Sequence, residues 1–218
     1  MSQYLIDLTH PLIEGMPQYP GQKKARFRCL EVEPDGVRMT NVSCCTHIGT
    51  HVDAPAHFIS DGMTMFDMPL DRWAGPALVV DVKPGPDGAI GPEAFVAALD
   101  GSRPSLAGVL VRSGHSKRWG RADYYGATAP FLDPAAATVL SKAELSFVGM
   151  DFPSPDPVGA RHQPSHLILL GAGLGLIENL TNLDQLDHDV VWFCAAPLII
   201  GEGDGAPCRA FAMESASR

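Results

Sequence analysis

The segment from His47 to His57 constrains the fold of this chain more than any other part of the sequence. It reads His-Ile-Gly-Thr-His-Val-Asp-Ala-Pro-Ala-His, and it holds three of the eight histidines together with a carboxylate. Neutral imidazole and ionised carboxylate are ligands of zinc, manganese and iron in proteins. Such a density of polar groups is costly to bury unless the groups are paired or metal-bound. The segment therefore predicts a metal site. The weaker alternative is a strand end whose imidazoles only hydrogen-bond their neighbours.

The local sequence of this segment favours a bent, extended chain over a helix. The spacing of His47 and His51 would fit one face of a helix, as in metalloproteases with a His-Glu-x-x-His motif. The residues between and after them, however, are poor in helix interiors: Gly49, Thr50, Val52 and Pro55. In a straight strand His47 and Asp53 would lie roughly 20 Å apart, too far to share one ion. We therefore expect a strand that bends at Gly49 and Pro55 into a tight loop around the ion.

A second pair of candidate ligands, His166 and Glu178, lies twelve residues apart. In one helix this separation would span roughly 18 Å. The apolar stretch 167–170 predicts instead a buried strand, then a glycine turn and a short segment that returns Glu178 towards His166. The glycine pattern of residues 171–175 has its third glycine misplaced for a dinucleotide-binding fingerprint, so we reject a Rossmann fold. Taken alone, the pair fits turn packing and a surface carboxylate better than it fits a metal site.

Length and composition predict one domain spanning residues 1–218. The chain is long enough for a substantial core, and its hydrophobic content of 45% excludes broad disorder. Nineteen prolines and 22 glycines indicate many turns. Short β-branched, apolar runs predict strands at residues 4–8, 39–44, 77–82, 108–112, 146–150 and 190–195. Proline near a starting position predicts helices at residues 92–99 and from Asp133 onwards. This order of elements indicates an α/β fold with mixed β-sheets.

The charge and the apolar pattern argue against nucleic acid and membrane partners. The net charge is −9, and no basic cluster offsets it. No run reaches the roughly 18 apolar residues that cross a bilayer. The first ten residues carry neither a basic start nor a long apolar stretch, so no secretory signal is expected and the cytoplasm is the expected location.

Three features allow two interpretations from sequence alone. Cys44 and Cys45 are expected to be small buried hydrophobic residues, and a thiolate ligand is the alternative. Asp151 follows a predicted strand and either lines the site or caps a turn. The segment 115–125, rich in aromatic residues, is expected to be a surface loop, with a lid or a subunit contact as the alternative.

The segment from His47 to His57 matches the H-x-G-T-H-x-D-x-P-x-H signature of the cyclase-like metal-dependent hydrolases, a family that includes bacterial kynurenine formamidases and isatin hydrolases. Weaker blocks resemble the same family along nearly the whole chain: residues 7–9, 15–17, 20–21, 110–114, 148–154, 178–183 and 203–210. The resemblance implies a swivelling β/β/α domain, assembled as a homodimer or homotetramer.

The resemblance also implies a role for each site residue. His47, His51 and Asp53 would bind a first metal. His166 and Glu178 would hold a second ion, with Asp53 bridging the two. His57 would be the acid/base residue rather than a ligand. Substrate-binding positions are assigned to Tyr19 and Phe58.

The expected function is metal-dependent hydrolysis of an amide or formamide bond in a small molecule, by an arylformamidase-like enzyme or one that opens cyclic amides. The isatin hydrolase branch has glutamine at the position of Glu178 and works with one manganese, so the carboxylate here favours the two-metal, formamidase-like branch. Zinc, as one or two ions, is the expected metal, with manganese as the alternative. Two other functions stay open: a metal-dependent cyclase or dehydratase acting on a biosynthetic intermediate, and a non-catalytic metal-binding scaffold. A serine nucleophile is not expected, because the chain has no G-x-S-x-G motif.

Overall fold

The computed structural model of the chain describes residues 3–32, 36–100 and 105–215. These residues form twelve strands, and their bounds are β1 Gln3–Asp7, β2 Arg26–Val32, β3 Val37–Ser43, β4 His51–Asp53, β5 Ala74–Asp81, β6 Ala89–Ile90, β7 Gly108–Arg112, β8 Phe131–Leu132, β9 Phe147–Met150, β10 Gly175–Glu178, β11 Val190–Pro197 and β12 Gly205–Ser215. The α helices of the same residues are α1 Glu93–Leu99, α2 Pro134–Ser141 and α3 Pro164–Gly171.

An eight-stranded sheet organises the molecule, in the order β1-β12-β11-β5-β7-β9-β10-β4. Strand β4 also pairs with β12, so the sheet closes on itself. Strands β5, β7, β9 and β10 run parallel, while β1, β4, β11 and β12 add antiparallel pairs. The predicted α/β fold with a mixed sheet is therefore confirmed. Strands β2 and β3 form a separate hairpin, and β6 pairs with β8.

The core lies on both faces of this sheet, which explains the nearly continuous apolar runs of its central strands. In β5, Ala77 and Val79 pack into one apolar cluster with Phe147 and Phe193. Their neighbours in the strand point to the other face, where the three helices cover a second cluster. Among the described residues no helix has the length and apolar character that would cross a bilayer.

All six predicted strands and both predicted helices are present, with ends displaced by up to three residues. One prediction is wrong, because residues 167–170 belong to helix α3 and not to a buried strand. Pro164 opens this helix, and the carboxylate of Asp156 accepts hydrogen bonds from the backbone N–H groups of Ser165 and His166. An apolar run of four residues fits a helix and a strand equally well. Here a capping group from outside the segment favours the helix.

Candidate metal centre

Strand β4 holds the centre of the predicted motif between two partner strands. Pairing with β10 sets Glu178 opposite His51, and pairing with β12 sets Gly205 opposite Asp53. The chain bends where the sequence predicts it. Gly49 has a left-handed φ of 58°, and Pro55 begins a short 3₁₀ helix, Pro55–His57. The bends return His57 to the cluster.

Two histidines present the same ring nitrogen to the carboxylates. Nδ1–H of His51 donates to the carbonyl oxygen of Gly49 at 2.8 Å, which leaves Nε2 facing Glu178 Oε2 at 3.3 Å. Nδ1 of His166 is 2.7 Å from Asp156 Oδ2, and its Nε2 lies 3.5 Å from Glu178 Oε1. A carbonyl or carboxylate that accepts a hydrogen bond from one ring nitrogen fixes the tautomer. The other ring nitrogen then carries no hydrogen, so its lone pair can bind a metal.

Asp53 lies at the middle of the cluster. Its Oδ1 is 2.7 Å from Nδ1 of His47 and 3.5 Å from Nε2 of His51. Its Oδ2 is buried, has no hydrogen-bonding partner among the described residues, and lies 3.9 Å from Nε2 of His166. Burial alone would raise the pKa of Asp53, but the neighbouring charge of His47 lowers it, so the carboxylate is ionised at neutral pH.

The rim of the cluster holds Asp204, a residue to which the sequence analysis gave no role. Its Oδ2 is 2.9 Å from Nε2 of His47 and 2.9 Å from Nδ1 of His57. Burial alone would raise the pKa of Asp204, but hydrogen bonds and charge from these imidazoles lower it to about 2. Burial likewise would lower the pKa of His47, but the charges and hydrogen bonds of Asp53 and Asp204 raise it to about 10.

These donors fit a divalent cation. A buried, ionised oxygen without a partner, such as Oδ2 of Asp53, is costly unless a cation or a donor satisfies it. Burial alone would lower the pKa of His166, but its hydrogen bonds to Asp156 and Glu178 raise it to about 9. The carboxylates thus favour positive charge within the cluster. A cation can supply this charge when it displaces protons from the imidazoles.

The structure brings all the predicted metal residues together, although their closest grouping differs from the predicted one. Two sets of three donors have ligand atoms within 4.8 Å of one another: His47 with Asp53 and His57, and His51 with Asp53 and Glu178. His51 therefore lies with Glu178, whereas the sequence grouped it with His47. Asp53 belongs to both sets, as expected of a bridging ligand.

A cavity of about 420 Å³ opens over the cluster. Every predicted site residue lines it: Tyr19, His47, His51, Asp53, His57, Phe58, His166 and Glu178. The ring of Phe58 stacks on His166 with centroids 4.4 Å apart, and Tyr19 meets Tyr125 edge to face at 5.8 Å. Aromatic rings thus border the polar cluster in this cavity.

Outside the motif, the structure corrects two expectations and decides between the two roles considered for Asp151. The segment 115–125 is not a plain surface loop, because Tyr124 is fully buried and Tyr125 lines the cavity. Cys44 and Cys45 are not buried: the first is exposed, and the second is half-buried at the cavity wall. Asp151 accepts hydrogen bonds from Ser113 and Gly114, so it caps a turn.

Asp156, which orients His166, was also not predicted from the sequence. Its signal is weak, since Asp156 stands in a proline-rich stretch typical of loops. The signal for Asp204 was its place between two glycines in one of the family-like blocks, but nothing in the spacing connects it to His57.

Comparisons with known proteins agree with this site. A family model described as "Putative cyclase" matches residues 6–157. The kynurenine formamidase of Geobacillus thermodenitrificans is 31% identical over 211 residues, covering 94% of this chain and 95% of that protein. The structure of isatin hydrolase A from Labrenzia aggregata superposes with a TM-score of 0.80 at 31% identity, covering 97% of this chain and 93% of that one.

A further solved structure is described as a potential metal-dependent hydrolase with cyclase activity. It superposes with a TM-score of 0.81 at 26% identity and covers 99% of this chain and all of its own, 100%. The chain belongs to the cyclase-like family of metal-dependent hydrolases. Its reaction is the metal-dependent hydrolysis of an amide or formamide C–N bond.

Proposed function

We propose that this chain hydrolyses the formamide or cyclic amide bond of a small aromatic substrate, with Zn²⁺ as its metal and Mn²⁺ as the alternative. The observation that carries the proposal is the cavity itself, where donor atoms of His51, Asp53 and Glu178 lie within 4.8 Å of one another beside aromatic walls. Relatives named kynurenine formamidase and neighbours named isatin hydrolase support an aryl group in the substrate.

His47, His51 and Asp53 would hold one ion, and His166 and Glu178 a second, with Asp53 shared. Imidazole and carboxylate together suit zinc or manganese, and the carboxylate of Glu178 supports two ions. When bound, a divalent cation lowers the pKa of a coordinated water from about 16 to about 7 and polarises a carbonyl oxygen.

The remaining residues bind the substrate and move protons. Tyr19, Phe58 and Tyr125 offer aromatic faces against which an aryl ring packs. His57 takes a proton from the attacking water and gives it to the departing nitrogen as the C–N bond breaks. Amines are poor leaving groups, so this proton transfer is needed for turnover and not for metal binding.

Replacement of His57 tests the proposal. In His57→Ala we expect unchanged metal content by elemental analysis, and a fall of about 10²–10⁴-fold in turnover of an arylformamide, the usual contribution of general acid–base catalysis. His162→Ala is the matched control, because His162 is exposed and lies outside the cavity. Unchanged turnover in His57→Ala would remove His57 from the mechanism.

The product mass distinguishes the proposal from cyclase or dehydratase chemistry. For each arylformamide or isatin-like lactam that is converted, the summed mass of the products should exceed the mass of the substrate by one water. Loss of water, or a product of unchanged mass, would instead identify a dehydratase or a cyclase. A protein that binds metal and converts none of the panel would support the scaffold alternative.

The same proposal covers assembly and location: residues 1–218 act as one domain in a homodimer or homotetramer in the cytoplasm. The β2–β3 hairpin exposes an unusual number of large apolar side chains, namely Leu30, Val37, Met39 and Val42. Extended apolar patches on a surface are typical of protein interfaces. Light scattering measures the assembly, and a monomer at all concentrations would contradict it. Cell fractionation tests the location.

A further inference from the structure

Asp204 is held in place from three directions. Its backbone carbonyl accepts a hydrogen bond from the N–H of Ala54 at 2.9 Å, directly after the motif strand β4. Its Oδ1 accepts a hydrogen bond from the hydroxyl of Thr46 at 3.2 Å. The next residue, Gly205, packs so closely that a Cβ there would lie 2.7 Å from the ring of His47. The orientation of the carboxylate is therefore fixed relative to the predicted metal loop.

The second oxygen of this carboxylate lies between His47 and His57. Oδ2 lies 2.9 Å from Nδ1 of His57, whose ring also stacks on His47 with centroids 3.9 Å apart. An ionised carboxylate oxygen only accepts hydrogen bonds, so Nδ1 of His57 carries the hydrogen and Nε2 is left to exchange a proton.

We propose that Asp204 is the positioning residue of His57. This inference rests on the proposed function, in which His57 is the acid/base group. The carboxylate fixes the tautomer and the ring plane, and it stabilises the imidazolium that forms while His57 holds the proton from water. A carboxylate on the far nitrogen of a catalytic histidine acts in this way in hydrolases of unrelated fold.

Two competing roles predict different behaviour. Asp204 could act through His47, because Oδ2 is also 2.9 Å from Nε2 of that residue; its loss would then lower metal content. It could also serve only to hold β12 against β4, in which case its loss would affect every substrate alike.

The test compares two substrates with Asp204→Asn, which keeps the shape of the side chain and removes its charge. The leaving group of formanilide is an amine, which needs a proton to depart. The leaving group of 4-nitrophenyl formate is a phenolate, which departs without one. We expect kcat on formanilide to fall about 10²-fold or more with metal content unchanged. The loss on the ester should be smaller, because there His57 only takes the proton from water and has none to give to the leaving group. Asp204→Glu should recover part of the loss, and the exposed Asp71→Asn is the control.

The double variant gives an independent result. In the His57→Ala background, Asp204→Asn should cost nothing further, because the two residues act as a unit. Nitrogen-detected NMR should find the hydrogen of His57 on Nδ1 in the wild-type protein and distributed over both nitrogens in Asp204→Asn. Three results would overturn the inference: equal losses of activity on both substrates, loss of metal from Asp204→Asn, or a further loss of activity when Asp204→Asn is added to His57→Ala. The proposed function would still be tested separately by His57→Ala. A wild-type protein inactive on both substrates would overturn both.

Discussion

Single hydrogen bonds decide which nitrogen His51 and His166 present to a cation. The carbonyl of Gly49 takes Nδ1–H of His51, and Asp156 takes that of His166, so both Nε2 atoms face Glu178. The candidate ligands His47, His51 and Asp53 could be predicted from their characteristic spacing in the motif 47–57, whereas His166 and Glu178 were predicted only from the family resemblance. The groups that orient them, the carbonyl of Gly49 and the carboxylate of Asp156, could not be predicted from the sequence. Folding, and not spacing along the chain, brings each of them to its histidine.

Asp156 gives the first prediction at this scale. Asp156→Asn should weaken metal binding by about 10–100-fold, the usual effect of removing the group that orients a ligand histidine. The measurement is competition with a coloured chelator. Asp133→Asn is a matched control, since Asp133 also accepts a backbone hydrogen bond at the start of a helix but lies away from the cluster. Equal affinity in the two variants would mean that Asp156 acts only as a helix cap.

At the scale of elements, local sequence signals succeed where they decide the structure alone. Helix α2 begins at Pro134 with Asp133 as its cap, as predicted. Strand β12 was missed because its alanines and its proline carry little β propensity. It exists because β1, β11 and β4 all pair with it, and small residues such as Ala210 and Ala212 fit the closed sheet. Such pairing joins residues distant in the chain, which no local pattern records.

Glu214 on β12 gives a pH prediction for this pairing. Burial alone would raise its pKa, but hydrogen bonds from the backbone and ring of His188, from Tyr4 and from the N–H of Asp187 lower it. A depressed pKa in the folded state stabilises the protein above the unfolded value of about 4.3, and this contribution is lost as the pH falls through the folded value.

Glu214→Gln should therefore lower the free energy of unfolding by about 1–3 kcal/mol at pH 7, and the gap from wild type should narrow towards pH 3.5. Urea unfolding at both pH values measures it, with the exposed Glu31→Gln as control. A gap of equal size at both pH values would show that the charge of Glu214 is not what stabilises β12.

At the scale of the whole molecule, closure of the sheet assembles the site. Strand β4 pairs with β10 and with β12, so His51, Glu178 and the neighbourhood of Asp204 meet although they lie far apart in the chain. The sequence predicted the α/β class and the cluster but could not predict closure, which depends on one three-residue strand finding two partners.

Because the cluster joins distant strands, a bound cation should stabilise the entire fold. A cation present at 100 times its dissociation constant adds about 2.7 kcal/mol, which for a chain of this size raises the Tm by roughly 5–10 °C. Calorimetry of chelated protein with and without added Zn²⁺ measures the shift. Asp53→Asn should show little of it, and an equal shift in that variant would indicate binding elsewhere.

The central claim is that the cation bound at Asp53 is required for C–N bond cleavage. Its most direct test is a titration of chelated, metal-free protein with Zn²⁺ or Mn²⁺, in which bound metal and arylformamide hydrolysis are recorded on the same samples. The account predicts that activity rises in proportion to bound metal and levels off at one or two equivalents, and that Asp53→Asn stays inactive. Full activity in the metal-free protein would contradict it.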